Sequence, residues 1–288
     1  MTSPTTLHQL PPTGPLFLQA AASLTRRARA DVHLPGLEVR VPGVLPDRQQ
    51  LQAYREICGF SGDQTLPITY PQVLAASLHL WLLTRPAFPL PVIGIVHLRN
   101  RIEQTAPLAA DRGYEIRVRL GGSRTTHLGL EFDLVTEWRD DAGQVVWHAV
   151  TTPLSRIKTG LPKPAREAAP APPRLVDYRS FEAPEDIGRR YAPIAQDYNP
   201  IHLYPLTARL FGFPRAIAHG MWALARATAL LEGVRGRDSR SLSVQFRQPL
   251  LLPGKVTLKF AAENPAGESE FALLARASDK VHFTGSLS

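Results

Sequence analysis

Two apolar segments constrain the fold of this chain more than any other feature. Tyr70–Thr84 (YPQVLAASLHLWLLT) has apolar residues nearly all round a helix, and residues 218–231 repeat this character. A helix of this kind is buried on most of its sides. The sequence therefore predicts two central helices, and we expect Gly233 to cap the second.

Each predicted helix precedes a series of extended segments. Most of these segments alternate apolar and polar residues, as half-buried strands do. Asp140-Asp141-Ala142-Gly143 is typical of a hairpin turn. The pattern predicts an α+β fold of two similar halves, in which antiparallel sheets wrap around the central helices and pair edge to edge. The predicted strands are residues 92–101, 114–120, 126–139 and 144–155, then 242–246, 255–261, 270–277 and 281–287.

A Pro/Ala-rich stretch separates the two halves. Residues 158–174 (KTGLPKPAREAAPAPPR) show no apolar period and are typical of a linker. We therefore assign residues 1–157 to an N-terminal half and residues 175–288 to a C-terminal half.

The C-terminal half carries a polar cluster that the N-terminal half lacks. Asp197, Asn199, Pro200 and His202 lie within six residues, and the proline restricts the residue before it to extended or turn conformations. Such a turn can direct the carboxylate and the imidazole to one point, where they can divide proton transfer between them. The first half passes straight from its preceding helix to Gly59-Phe60, so we expect one active site per chain.

The second central helix begins close to this cluster in the sequence. In Ala218-His219-Gly220-Met221, the glycine lets a ligand approach the backbone N–H closely. The start of a helix also favours an oxygen that gains negative charge. Gly220 is therefore the candidate oxyanion donor, with close helix–sheet packing as the alternative, and His219 is expected to be structural.

These residues resemble the motif of a known family. The pattern Asp197-x-Asn199-Pro200-x-His202, followed by Gly212-Phe213 and Ala218-His219-Gly220-Met221, is similar to that of the MaoC-like (R)-specific enoyl-thioester hydratases and 3-hydroxyacyl-thioester dehydratases. The resemblance implies a double hot-dog fold. It implies Asp197 and His202 as the catalytic pair, and the Gly220 amide as the donor that polarises the thioester carbonyl. The N-terminal half would then be a degenerate hot dog that binds the acyl tail.

Three further residues are candidates for substrate binding. Tyr198 lies inside the motif, although aromatic residues near a core usually belong to the core. Asn199 is most simply a turn former, with a site-orienting hydrogen bond as the alternative. Arg247, which recurs with Arg99 in the two halves, suits a phosphate of coenzyme A or of a carrier arm; a solvated arginine at a strand end is the alternative.

Composition limits the partners and the compartment. The net charge of +8 suits a phosphate-bearing substrate or an acidic carrier protein, and no basic run interleaved with aromatic residues indicates nucleic acid. The single Cys58 excludes an internal disulfide, so we expect a cytoplasmic protein. The N-terminal apolar run is too short for a membrane span, and its cations follow it, unlike those of a signal peptide. The remaining histidines lack metal-ligand spacing, so we expect no metal.

Together these features and the resemblance predict reversible hydration of trans-2-enoyl thioesters to (3R)-3-hydroxyacyl thioesters in fatty-acid metabolism. No cofactor is expected beyond the coenzyme A or acyl carrier protein that holds the substrate. The internal hot-dog pair is the expected assembly, and a further homodimer stays open. Two alternatives are a hot-dog thioesterase, which would release free acid and thiol, and a non-catalytic acyl-binding or assembly subunit.

Overall fold

The computed structural model describes residues 4–27, 32–62, 64–163, 175–236 and 238–288. The helices are α1 (Thr13–Ala22), α2 (Arg48–Cys58), α3 (Tyr70–Thr84), α4 (Ile187–Ala195), α5 (Pro205–Arg209) and α6 (Gly220–Arg235). The strands are β1 (Thr5–Thr6), β2 (Glu38–Val44), β3 (Val96–Gln104), β4 (Tyr114–Thr126), β5 (Gly129–Arg139), β6 (Val145–Ser155), β7 (Val176–Ala183), β8 (Ser241–Phe246), β9 (Gly254–Phe260), β10 (Ser269–Ala275) and β11 (Val281–Leu287).

The strands form one continuous sheet rather than two separate ones. Their order is β1-β2-β4-β5-β6-β3-β8-β11-β10-β9-β7, so strands from before the linker lie on one side and strands from after it on the other. The seam is the antiparallel pair β3–β8, in which Asn100 is opposite Val244 and Ile102 is opposite Leu242. The predicted edge-to-edge pairing of the two halves is therefore confirmed.

Both central helices are buried, as the apolar residues on nearly all of their sides predict. Pro71 lies in the first turn of α3, where a missing N–H costs nothing. Leu78 and Leu82 of α3 are fully buried, as are Leu224 and Ala227 of α6. All four side chains belong to one apolar core that extends across the seam.

The second central helix ends later than the sequence pattern predicts. Gly233 lies inside α6, and Gly236, with φ of 64°, is the left-handed cap whose N–H bonds to the carbonyl of Glu232 at 2.9 Å. The prediction that Gly233 caps this helix is wrong. Apolar periodicity could not separate two glycines three residues apart, because only the left-handed conformation identifies the cap.

Helices α2 and α4 occupy matching places in the two halves, and each ends in a left-handed cap. Gly59 caps α2 with φ of 81°, and Gln196 caps α4 with φ of 53°. Ten residues then lie between Gly59 and the first residue of α3, whereas twenty-three lie between Gln196 and the first residue of α6. The second half therefore carries extra chain at the point where its polar cluster occurs.

The linker falls partly outside the described residues. Residues 158–163 contain no helix or strand, and residues 164–174 are not described. The division into halves at residues 1–157 and 175–288 stays a prediction. Among the described helices, none has the length and apolar character needed to cross a membrane.

Candidate active site

The end of α4 sets the direction of Asp197. Gln196 adopts the left-handed conformation, and the N–H groups of Gln196 and Asp197 both bond to the carbonyl of Ala192. A side chain larger than glycine rarely adopts this conformation without a reason. The chain therefore reverses sharply at the end of the helix, and the Asp197 side chain is left 41% exposed.

A tight turn then brings His202 back towards Asp197. The Asp197 carboxylate accepts the N–H of Asn199 at 3.1 Å, and the Asn199 side chain accepts the N–H of Ile201 at 3.4 Å. Pro200 starts a short 3-10 turn that ends at His202, whose N–H bonds to the Asn199 carbonyl at 3.0 Å. The proline fixes the first dihedral of this turn, as the sequence pattern predicts.

Main-chain bonds tie this turn to the segment before α6. The N–H of Ile217 donates to the carbonyl of Ile201 at 3.0 Å, and the His202 ring Nδ1 lies 2.8 Å from the carbonyl oxygen of Ile217. A carbonyl can only accept, so Nδ1 carries the hydrogen and Nε2 of the neutral ring keeps its lone pair. His202 is thereby fixed with a free basic nitrogen beside the start of α6.

Three side chains converge at this point. Asp197, His202 and His219 each place one oxygen or nitrogen atom within 4.8 Å of the others. The two imidazole rings stack with centroids 3.8 Å apart, and His219 Nε2 lies 3.0 Å from the main-chain oxygen of Asp197. One water can bridge a carboxylate and an imidazole at such a separation. The predicted meeting of the first two side chains is therefore present in the structure.

Burial keeps both imidazoles uncharged near neutral pH. Desolvation lowers the pKa of His202, against the opposing effects of the Asp197 charge and the bond to Ile217. Desolvation and then the neighbouring His202 lower the pKa of His219 to about 3. A histidine that is neutral at working pH can accept a proton, as a general base must.

Gly220 is the first residue of α6, and His219 is its N-cap. The N–H groups of the first helical turn have no partner within the helix, and they carry partial positive charge. A Cβ on Gly220 would lie 3.0 Å from Cε1 of Phe246, so this aromatic ring packs against the helix start. The glycine therefore permits close packing with the sheet, and its amide directly follows His219, whose ring contacts Asp197 and His202.

Two histidines lie near this cluster, although the sequence pattern did not predict a place for them there. His219 directly precedes Gly220 in the motif, and this adjacency is the one sequence feature that indicates its position near the site. His97 of β3 packs against Phe246 with ring centroids 4.9 Å apart and ring planes inclined by 55°. Desolvation lowers the pKa of His97 to about 4, against the opposing effect of the Asp197 charge. No local pattern indicates His97, because it reaches the cluster only through the pairing of β3 with β8.

The three candidate substrate-binding residues lie in different settings. Asn199 makes the turn contacts described above, and Tyr198 beside it is 40% exposed. Arg247 follows β8 and is exposed, with its main-chain N–H bonded to His282. Arg99, its counterpart in β3, forms an ion pair with Glu131. Roles for Tyr198, Asn199 and Arg247 in substrate binding stay predictions.

The cluster suits proton transfer better than metal binding. An imidazole ligand holds a metal in the plane of its ring, and the rings of His202 and His219 are inclined by only 27° while stacked face to face. Two rings stacked with nearly parallel planes are a poor fit for one shared ion. One nitrogen of each ring is also directed at a backbone carbonyl.

Two surface clefts lie elsewhere. One of about 460 Å³ is lined by Thr126, His127, Leu128, Glu131, Leu161 and Pro162. Another of about 410 Å³ is lined by Gln19, Ala22, Ser23, Arg26, Thr84, Arg85 and Pro86. Neither includes the catalytic candidates, which reach solvent through the exposed Asp197 side chain. Binding of the acyl tail by the N-terminal half stays a prediction.

Comparisons with known proteins identify relatives of this chain. Residues 163–271 match the family model described as MaoC like domain. The protein 3-hydroxyacyl-thioester dehydratase X of Mycobacterium tuberculosis is 37% identical over 256 residues, which cover 88% of this chain and 89% of that protein. The crystal structure of HtdX of the same organism has a TM-score of 0.74 at 32% identity, covering 87% of this chain and 98% of that one.

A more distant structure bears on the fold alone. A conserved hypothetical protein of Mycobacterium tuberculosis, described as having a double hot-dog fold, has a TM-score of 0.57 at 12% identity and covers 85% of this chain and 92% of its own. The expected double hot-dog fold is confirmed. On the strength of its identity to 3-hydroxyacyl-thioester dehydratase X, this chain belongs to the MaoC-like dehydratase family.

Proposed function

We propose that this protein catalyses the reversible hydration of trans-2-enoyl thioesters to (3R)-3-hydroxyacyl thioesters, as a hydro-lyase of fatty-acid metabolism. The observation that carries the proposal is the convergence of the Asp197 carboxylate and the His202 imidazole within 4.8 Å at the start of α6. The 37% identity to a 3-hydroxyacyl-thioester dehydratase supports the substrate class. The (3R) configuration follows from the family resemblance.

Asp197 and His202 act on one water in this mechanism. In the hydration direction, the water oxygen bonds to the β-carbon, and the electrons of the carbon–carbon double bond move towards the thioester carbonyl. The two side chains remove a proton from the water and supply one to the α-carbon. His202 can accept that proton at Nε2, because its Nδ1 is directed at the carbonyl of Ile217.

Gly220 supplies the electrostatic part of the catalysis. Its N–H donates to the thioester oxygen, which gains negative charge as the enolate forms. The helix start favours that charge further. Phe246 packs against the same residue and keeps water from part of its surface, which strengthens such a hydrogen bond.

The substrate arrives on coenzyme A or on an acyl carrier protein. The net charge of +8 favours both, since each carries negative charge. The reaction moves only water and protons, so it uses no redox or group-transfer cofactor. The single buried Cys58 is consistent with a reducing compartment, and we place the reaction in the cytoplasm.

The proposal is tested by incubating the purified protein with a trans-2-enoyl-CoA. Loss of enone absorbance without release of free thiol is the expected result, and chiral analysis of the product should give the (3R) isomer. Release of thiol would indicate a thioesterase instead. Absence of both changes, across a crotonyl to dodecenoyl series on coenzyme A and on carrier protein, would indicate a binding subunit.

A further inference from the structure

His219 touches both members of the catalytic pair through different parts of its ring. Its Nε2 lies 3.0 Å from the main-chain oxygen of Asp197 and 3.8 Å from the Asp197 carboxylate. Its face stacks on His202 with centroids 3.8 Å apart. A single side chain therefore holds the two residues whose separation the proposed reaction depends on.

The hydrogen-bonding state of His219 makes it unsuited to proton transfer. The Asp197 carbonyl can only accept, so Nε2 carries the hydrogen and Nδ1 does not. Nδ1 is buried and has no hydrogen-bond partner among the described residues, and the side chain is only 3% exposed. The Nε2 hydrogen is therefore directed at the Asp197 carbonyl, and the lone pair of Nδ1 lies in buried surroundings.

Further contacts hold the ring of His219 in place. Tyr191 of α4 packs against it with centroids 5.1 Å apart, and Tyr191 is fully enclosed. The main chain of His219 is the N-cap of α6. The imidazole is thus fixed by two helices and is a rigid support for whatever it contacts.

We propose that His219 is a positioning residue for the active site. Its Nε2–H fixes the main chain of Asp197, and its ring face fixes the plane of the His202 imidazole, so the two catalytic groups keep the separation that one water can span. This inference rests on the proposed function, because it concerns the same reaction. A positional error of about 1 Å can cost roughly 100-fold in rate.

The same contact shields one face of His202 from water. Desolvation is the largest influence on the pKa of His202, and it acts downwards. The charged and titratable groups around the pair are Asp197 beside both rings, Tyr191 against His219, and His97, which approaches Asp197 from β3. Removing the His219 ring would admit water to His202 and raise its pKa.

Two substitutions separate the two contacts. His219→Phe keeps a flat ring against His202 but removes the donor to Asp197. His219→Gln keeps an N–H donor of similar reach but removes the ring. His148→Gln is the matched control, since His148 lies opposite Glu103 and Glu137 within the sheet of the first half, away from the cluster.

For His219→Phe we expect kcat to fall by about 10- to 100-fold with KM within about threefold of wild type, because positioning is lost while binding is kept. For His219→Gln we expect a smaller fall in kcat and a shift of the acidic limb of the kcat/KM profile to higher pH. Wild-type rates in both variants would overturn the proposal. It would also be overturned if both variants lost the same rate and the same thermal stability while the acidic limb of the kcat/KM profile did not move.

A second measurement does not depend on activity. Histidine ring nitrogen NMR of the full chain should show His202 protonated at Nδ1 and His219 at Nε2, with the pKa of His202 rising in His219→Gln. An unchanged His202 pKa in that variant would contradict the shielding role, whatever reaction the enzyme catalyses. Failure of the wild-type protein to hydrate enoyl thioesters would instead contradict the proposed function alone.

Discussion

Gly188 of α4 lies directly against the main chain of His202. A Cβ on Gly188 would come within 1.9 Å of the His202 carbonyl oxygen. Real Cβ atoms do not approach backbone oxygen so closely, and the helix and the turn are both held by main-chain hydrogen bonds. The absence of a side chain at Gly188 therefore sets how near His202 can lie to α4.

The first prediction concerns this contact. Gly188→Ala should lower the free energy of unfolding by about 1 to 3 kcal/mol, since a methyl group forced into a packed site causes strain. It should also reduce the hydration rate, because His202 moves. The measurements are urea unfolding and initial rates with an enoyl-CoA.

Gly233→Ala is the matched control for that substitution. Gly233 also lies inside a helix, and a Cβ there meets no atom within 4 Å. Alanine should stabilise the protein by about 0.5 to 1 kcal/mol through its higher helix propensity. Equal stabilities for the two variants would show that the contact between Gly188 and His202 is not restrictive.

A second prediction isolates the amide of Gly220. Proline fits the first position of a helix and lacks an N–H, and His219 before it is already extended, with ψ of 128°. Gly220→Pro should therefore fold, while its hydration rate falls by about 100-fold or more relative to Gly220→Ala. The alanine variant keeps the N–H and shares the contact of the new Cβ with Phe246.

The comparison of the two variants decides the role of this amide. Circular dichroism of both variants checks that α6 has formed. If proline and alanine reduce the rate equally, the effect comes from the displaced Phe246 ring and the oxyanion role of the Gly220 amide is refuted.

A third prediction concerns stability in acid. Burial lowers the pKa of His79 and of His219 to about 3, whereas an unfolded histidine titrates near 6.5. Between these values the unfolded chain binds a proton that the folded chain refuses, so stability is full above pH 6.5 and falls as the pH drops. Each residue should contribute a loss of up to about 1.4 kcal/mol per pH unit in that window.

His79→Gln should remove one such contribution. The glutamine amide can still bond to Thr136, which the His79 ring contacts at 2.8 Å. Chemical denaturation between pH 4 and pH 7 would then give a shallower slope for the variant than for wild type. Identical slopes would mean that His79 is protonated in the folded protein.

Much of the architecture could be predicted from the sequence, because apolar periodicity reports burial along a single segment. The bounds of α3 match the predicted residues 70–84, and the convergence of Asp197 and His202 follows from one proline in a short turn. The positions of His97 and His219 beside this pair could not be predicted in this way. The position of His97 depends on the pairing of β3 with β8. That of His219 depends on the orientation of its ring at the start of α6.

The residues that cap helices in the left-handed conformation could not be predicted from the sequence either. Glycine at position 236 and glutamine at position 196 both adopt this conformation, yet one is the residue type that favours it and the other is not. Gln196 is held there because its own N–H and that of Asp197 share the Ala192 carbonyl. Main-chain bonding of this kind does not depend on side-chain type, so it leaves no mark in local composition.

The central claim is that Asp197 and His202 act together on one water. The most direct measurement is the hydration rate of one enoyl-CoA by Asp197→Asn, by His202→Gln and by the double variant, each checked for folding. We expect each single variant to lose about 100- to 10,000-fold and the double variant to lose little more than the worse single one, because groups that act as a unit are not additive. Single variants within about threefold of wild type, or losses that multiply in the double variant, would contradict the claim.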